Sequence, residues 1–108
     1  MNGNEYQKLA MKTLNPSLNK KEVMINAVMG LCGESGEVSD IVKKHLFQGH
    51  ELDVEKIKIE LGDVLWYIAE MCEALDLELD KVMEANIEKL SKRFKDGFTV
   101  EESINRKD

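Results

Sequence analysis

The sequence predicts an all-α protein: an antiparallel helical bundle of about four main helices, completed by oligomerisation. Three observations predict it. Apolar residues recur at three- and four-residue spacing over three long stretches, the period of a helix with one buried face. The 108 residues contain a single proline, so those stretches run free of the strongest helix breaker. Capping residues stand where the stretches begin, and turn residues where they end.

The first helix is expected from about Glu5 to Leu14, where Asn15-Pro16 ends it, because proline disfavours helical geometry in the residue before it. Asn19 and Glu22 have capping-box spacing and open the second helix, which runs to Phe47 and stops at Gln48-Gly49. Asp53 caps the third, which runs to about Leu75. After a break from Asp76 to Glu78, the fourth ends near Phe94. Asp96-Gly97 is a turn, and Thr99 with Glu102 caps a short final helical turn. The second and third helices are joined by a short connection and should be antiparallel neighbours. Their expected buried stripes are Met24, Val28, Leu31, Val38, Val42 and Leu46, facing Ile57, Leu61, Val64, Ile68, Cys72 and Leu75. The fourth helix contributes Leu79, Val82, Met83, Leu90 and Phe94. The chain reads as one domain, with its core over about residues 20–95 and a tail over 96–108.

Composition narrows the function classes. At 43% hydrophobic and 33% charged, the chain is globular rather than disordered. A net charge of −6 argues against coating a nucleic-acid polymer or lying on a membrane, both of which need a basic face. It leaves a nucleotide substrate open, because bound cations can offset carboxylate charge. Cys32 and Cys72 lack disulfide or zinc-site spacing and read as reduced thiols. The amino-terminal segment lacks the apolar run of a signal peptide, and no stretch is long enough to span a bilayer, so a cytoplasmic location is expected. A domain this small buries a modest fraction of its surface, which favours self-association.

The candidate chemistry lies in two acidic pairs, Glu34-x-x-Glu37 and Glu60-x-x-Asp63. Such pairs are common: 21 acids in 108 residues give about four by chance, and the chain has five. Placement carries the argument instead. With ~100° of rotation per residue, Glu34 and Glu60 each lie about 70° from the centre of their apolar stripe. Glu37 and Asp63 each lie about 130° away, in the same rotational sense. Antiparallel helices meeting face to face would therefore bring all four to one side of their seam. Four clustered carboxylates repel one another unless cations sit among them. Mg²⁺ suits an all-oxygen site that phosphate completes, with Mn²⁺ as the alternative. No histidine lies near these acids in sequence, which disfavours zinc and non-haem iron. Gly30, Gly33, Gly36 and Gly62 interrupt the same helices, each costing up to about 1 kcal/mol relative to alanine. Close helix packing and close approach of a ligand are both open as the reason.

Three ordered blocks carry a resemblance. They are Gly33-Glu34-Ser35-Gly36-Glu37-Val38, then Glu60-Leu61-Gly62-Asp63-Val64-Leu65-Trp66-Tyr67, then Asn86-Ile87-Glu88-Lys89-Leu90 with Arg93. Over about residues 20 to 95 the chain resembles the MazG-type all-α nucleoside triphosphate pyrophosphohydrolases. The resemblance implies cleavage of an NTP or dNTP between its α and β phosphates, giving a monophosphate and pyrophosphate. It implies Mg²⁺ held by Glu34, Glu37, Glu60 and Asp63, and assembly as a homodimer or homotetramer. Glu34 and Glu37 are the candidates for activating water. Asn86, Lys89 and Arg93, on one edge of the fourth helix, are candidate triphosphate ligands; complementing the helix dipole is the other reading of the two cations. Tyr67 shares the face of Glu60 and Asp63 and is a candidate to pack on ribose or base, and Trp66 to stack on a base across a subunit boundary. Core packing is the other reading of both. Lys43, Lys44, His45 and His50 read as residues of a solvated helix end. The rival to the enzyme is a non-catalytic nucleotide-binding or partner-binding helical module. Base and sugar preference are not legible.

Overall fold

A computed structural model describes residues 1–106, and every regular element in it is helical. Helix α1 spans Gly3–Ala10 and continues as a 3-10 turn over Met11–Thr13; α2 spans Lys20–Phe47, α3 Val54–Ala74, α4 Leu79–Arg93 and α5 Val100–Ile104. The expected caps are present. Asn19 and Glu22 form the complete capping box of α2, Asp53 accepts from the Lys56 amide, and Thr99 accepts from the Glu102 amide. Gly49 takes the left-handed conformation after α2, with φ +73°. Residues 107 and 108 of the tail lie outside the described residues.

α1 corrects the expected first helix at both ends. It starts two residues earlier, because Asn2 accepts from the Glu5 amide at 2.8 Å and donates to the Glu5 carboxylate at 2.9 Å. It tightens to 3-10 geometry after Ala10, where the Thr13 hydroxyl donates back to the Ala10 carbonyl at 2.8 Å.

The α2–α3 hairpin is the body of the molecule, and its seam is narrower than expected. The buried side chains of these two helices are Val23 and Ala27 of α2 with Ala69, Glu70, Cys72 and Ala74 of α3. Of the expected α2 stripe, Leu31 and Val38 are half-buried, while Met24, Val28, Val42 and Leu46 are exposed, and Val23, Ala27 and Ile41 are covered one residue away from the first three of these. Of the expected α3 stripe, Ile57, Val64 and Ile68 are half-buried and Cys72 is buried, while Leu61 and Leu75 are exposed. One layer is a close approach. A Cβ on Gly30 would fall 2.1 Å from Cε1 of Tyr67, so the Tyr67 ring lies directly on the α2 backbone. At that layer α2 accepts glycine and nothing larger.

α1 braces the hairpin to α4 through polar bonds. Trp66 of α3 donates its indole N–H to the Ala10 carbonyl at 3.0 Å and the Thr13 hydroxyl at 2.9 Å. Glu78, at the start of α4, offers no capping side chain of its own. α1 supplies the caps instead: Gln7 accepts from the Leu79 amide at 2.9 Å and Asn4 from the Asp80 amide at 3.0 Å. The Gln7 amide also donates to the Leu77 carbonyl at 3.1 Å, and Asp80 accepts from the Asn4 amide at 3.2 Å. Asp76 turns the chain between α3 and α4 with φ +56°, a left-handed conformation that aspartate tolerates, and it ion-pairs with Lys20.

Beyond Leu79, α4 leaves its expected stripe uncovered. Val82, Met83 and Leu90 are exposed and Phe94 is half-buried, beside Phe98. The radius of gyration is 16.9 Å, against about 13 Å for a compact chain of this length.

The glycines give a direct test of this packing. Gly30→Ala should lower stability by about 1–3 kcal/mol in denaturant titration, despite its better helix propensity, because the Tyr67 ring must move. Gly33→Ala and Gly36→Ala meet open space within one chain, and should raise monomer stability by up to about 1 kcal/mol each. A loss at either would mark that face of α2 as covered in solution.

Candidate functional site

The α2–α3 seam proceeds in layers about one helical turn apart. Asn26 faces Glu70, Gly30 faces Tyr67, and Glu34 faces Glu60 and Asp63. This register brings one carboxylate oxygen from each of Glu34, Glu60 and Asp63 within 4.8 Å of the others. Glu34 and Glu60 are half-buried at the seam and Asp63 is exposed at its edge. Glu37 is exposed and stands outside this set of three, although its charge reaches Glu34. Three of the four paired acids therefore converge across two helices, with Glu34 and Glu60 innermost, and Glu37 stays outside.

Electrostatics records the crowding. The Glu34 carboxyl is pushed up to about 7, first by a hydrogen bond with Glu60, then by partial burial and by the charges of Glu60, Asp63 and Glu37. Such a hydrogen bond between carboxyls requires a proton, so the bare group holds one that isolated glutamates would release. The donors are all oxygen, without histidine or cysteine, which fits a hard divalent cation rather than zinc.

Tyr6 of α1 also reaches this neighbourhood. Its hydroxyl donates to the Gly62 carbonyl at 3.5 Å, and its phenol is pushed up by burial and by the Asp63 charge. Nothing in the spacing of α1 signals this, because the contact spans 56 residues of sequence. Tyr67 packs on Gly30, one turn from the acids, and meets Trp66 edge-on at 5.1 Å between ring centres. The indole N–H of Trp66 is committed to α1.

Asn86, Lys89 and Arg93 lie on α4, which packs on α1 rather than on the acid-bearing hairpin. The structure thus does not join them to the acids within one chain. Lys89 and Arg93 instead line a cavity of about 720 Å³ between α4 and α5, with Lys95, Arg106, Glu101 and Glu102. None of the ion pairs among the described residues involves Lys89, Lys95 or Arg106. At the far end of α2, Lys43 and Lys44 pair with Asp40 at 3.2 and 2.9 Å, and His45 Nδ1 faces the His50 carbonyl at 2.8 Å. These four are helix-end residues, as expected. No helix among the described residues is long and apolar enough to cross a membrane.

Comparison with known proteins gives the family. The chain is 37% identical over 82 residues to the Gene 37 protein of Mycobacterium phage L5, covering 72% of each chain. No solved structure matches it. The model of the MazG nucleotide pyrophosphohydrolase domain matches residues 24–98, a span that holds both acidic pairs, the seam between them and all of α4. The chain belongs to the MazG nucleotide pyrophosphohydrolase domain family.

Proposed function

We propose that the protein hydrolyses a nucleoside or deoxynucleoside triphosphate between its α and β phosphates, releasing a monophosphate and pyrophosphate. The observation that carries this reading is the convergence of Glu34, Glu60 and Asp63 across the seam of a MazG domain. The oxygen-only donor set supports Mg²⁺ as the cofactor, with Mn²⁺ as the alternative. A cation held there would neutralise phosphate charge and polarise the phosphate oxygens. Glu34, Glu60 and Asp63 are its ligands in this reading, with Glu37 at the rim. The exposed position of Glu37, outside the set of three, supports it over Glu34 as the base that takes a proton from water. The water oxygen forms the new bond to phosphorus, the bridging P–O bond breaks, and pyrophosphate leaves with the electron pair.

Asn86, Lys89 and Arg93 bind the phosphate chain in this reading, and they come from a second copy of the chain. The separation of α4 from the acids supports this, as do the uncovered apolar residues of α2 and α4. The homo-oligomer is a dimer or a tetramer, working in the cytoplasm. Tyr67 and Tyr6, which neighbour the acids, contact the nucleoside in this reading.

Incubation with a complete NTP and dNTP panel and Mg²⁺ should release pyrophosphate from at least one member. Glu37→Gln and Asp63→Asn should lower that turnover by about 100-fold or more with unchanged helical CD. Nucleotide binding without product, in the wild-type protein, would identify a non-catalytic binding module instead. Asp63→Asn and Lys89→Ala should each be inactive alone. Refolded together they should recover about a quarter of wild-type activity if random dimers share their sites; no recovery would place both residues in one subunit's site. pH supplies a further test. The folded Glu34 carboxyl keeps its proton to about 7, against 4.5 for an ordinary glutamate. Its contribution to metal-free stability is therefore fully present below about 4.5 and lost as pH rises through about 7. Mg²⁺ should remove that loss and release a proton on binding near pH 6.5, measurable by calorimetry in buffers of different ionisation enthalpy.

A further inference from the structure

We propose that the Asn26–Glu70 pair, with Glu70 wholly buried and Asn26 at the exposed edge, is a positioning element that acts with the Gly30–Tyr67 contact to fix the axial register of α2 against α3, and through it the convergence of the three acids. Glu70 is wholly buried, and it is the sole charged residue so placed among the described residues. Its two carboxylate oxygens accept from the Asn26 side-chain amide at 2.9 Å each. No cation accompanies it, and burial pushes its carboxyl up. Isolated burial of a carboxyl is unfavourable, and the wet face of α3 was available for it. A buried polar contact of this kind is best justified by what it specifies.

What it specifies is clear from its surroundings. Leu31 and Val38 of α2 and Ile57, Val64 and Ile68 of α3 are half-buried aliphatic side chains spaced at helical period along the hairpin. A slip of one turn exchanges one aliphatic neighbour for another, whereas the two specific layers, Asn26–Glu70 and Gly30–Tyr67, would both be lost. A slip of one turn moves the helices by about 5.4 Å, whereas the acid oxygens lie within 4.8 Å of one another. The slip would therefore dissolve the acidic group while leaving a helical hairpin intact. It would also strip Glu70 of its only donor, and that makes the Asn26 layer a directional lock two turns from the acids. Glu70 and Asn26 touch neither acids nor the space a substrate would fill, so their role is positioning.

This inference rests on the three acids being a cation site only for its functional consequence; the register itself is tested separately. In the wild-type protein, NMR should show the close contact between the Gly30 α-protons and the Tyr67 ring. Glu70→Gln, which keeps an acceptor for Asn26, should retain it and bind Mn²⁺ within about twofold of wild type. The double variant Asn26→Leu/Glu70→Leu should remain helical, yet show a second set of Tyr67 contacts, to the Ala27 or Glu34 turn. Its Mn²⁺ affinity should fall at least about tenfold. Glu70→Ala carries the same expectation should the leucine pair fail to fold. A single, wild-type set of Gly30–Tyr67 contacts in the leucine or alanine variant overturns the proposal, as does wild-type Mn²⁺ affinity there. Absence of Mn²⁺ binding in the wild-type protein would count against the cation site, while the NMR contacts still decide the register.

Discussion

The distance between α2 and α3 governs the rest of the molecule. Where Gly30 admits the Tyr67 ring, the ring lies directly on the α2 backbone. One turn further on, carboxylates of the two helices are brought together. The raised Glu34 carboxyl is the electrostatic trace of that crowding. A wider pairing, with leucines interlocked as in an ordinary hairpin, would relieve the repulsion and lose the site. Stability and chemistry thus compete for the same few ångströms.

α1 works as a bracket rather than as a fourth wall. Its Asn4 and Gln7 take over the capping of α4, and its carboxyl-terminal turn receives the indole of Trp66. Gly3 lets the start of α1 press against α4, since a Cβ there would meet Asp80 Oδ1 at 2.7 Å and Met83 Sδ at 2.8 Å. Directional bonds suit a bracket, because they fix angles that a greasy contact leaves loose.

Local chemistry made much of this legible in the sequence. The Asn19–Glu22 box and the Asp53 cap follow from side chains acting within one turn, and both stand where expected. The convergence of Glu34, Glu60 and Asp63 was legible because their offsets depend on helical period alone; Glu37 stands outside it. The α2 stripe was legible in part, at Leu31 and Val38; apolar patterning also gives weight to Met24, Val28 and Val42, whereas the covered positions include Ala27 and Gly30. Asn26 and Glu70 are polar positions that apolar patterning passes over, although Glu70 continues the spacing of Glu60, Asp63 and Tyr67 along one face of α3. Tyr6 and the borrowed caps of α4 had no local signal at all, since each joins segments more than fifty residues apart.

The polar bracket at Asn4 and Gln7 has an evolutionary meaning. The acids and the cations of this chain occupy separate structural parts, and α4 is tied to α1 by a handful of hydrogen bonds and the burial of Leu79. Substitutions along α4 can therefore alter its length, tilt or charge without repacking the seam that gathers the carboxylates. Change on α4 is thereby uncoupled from change at the carboxylates.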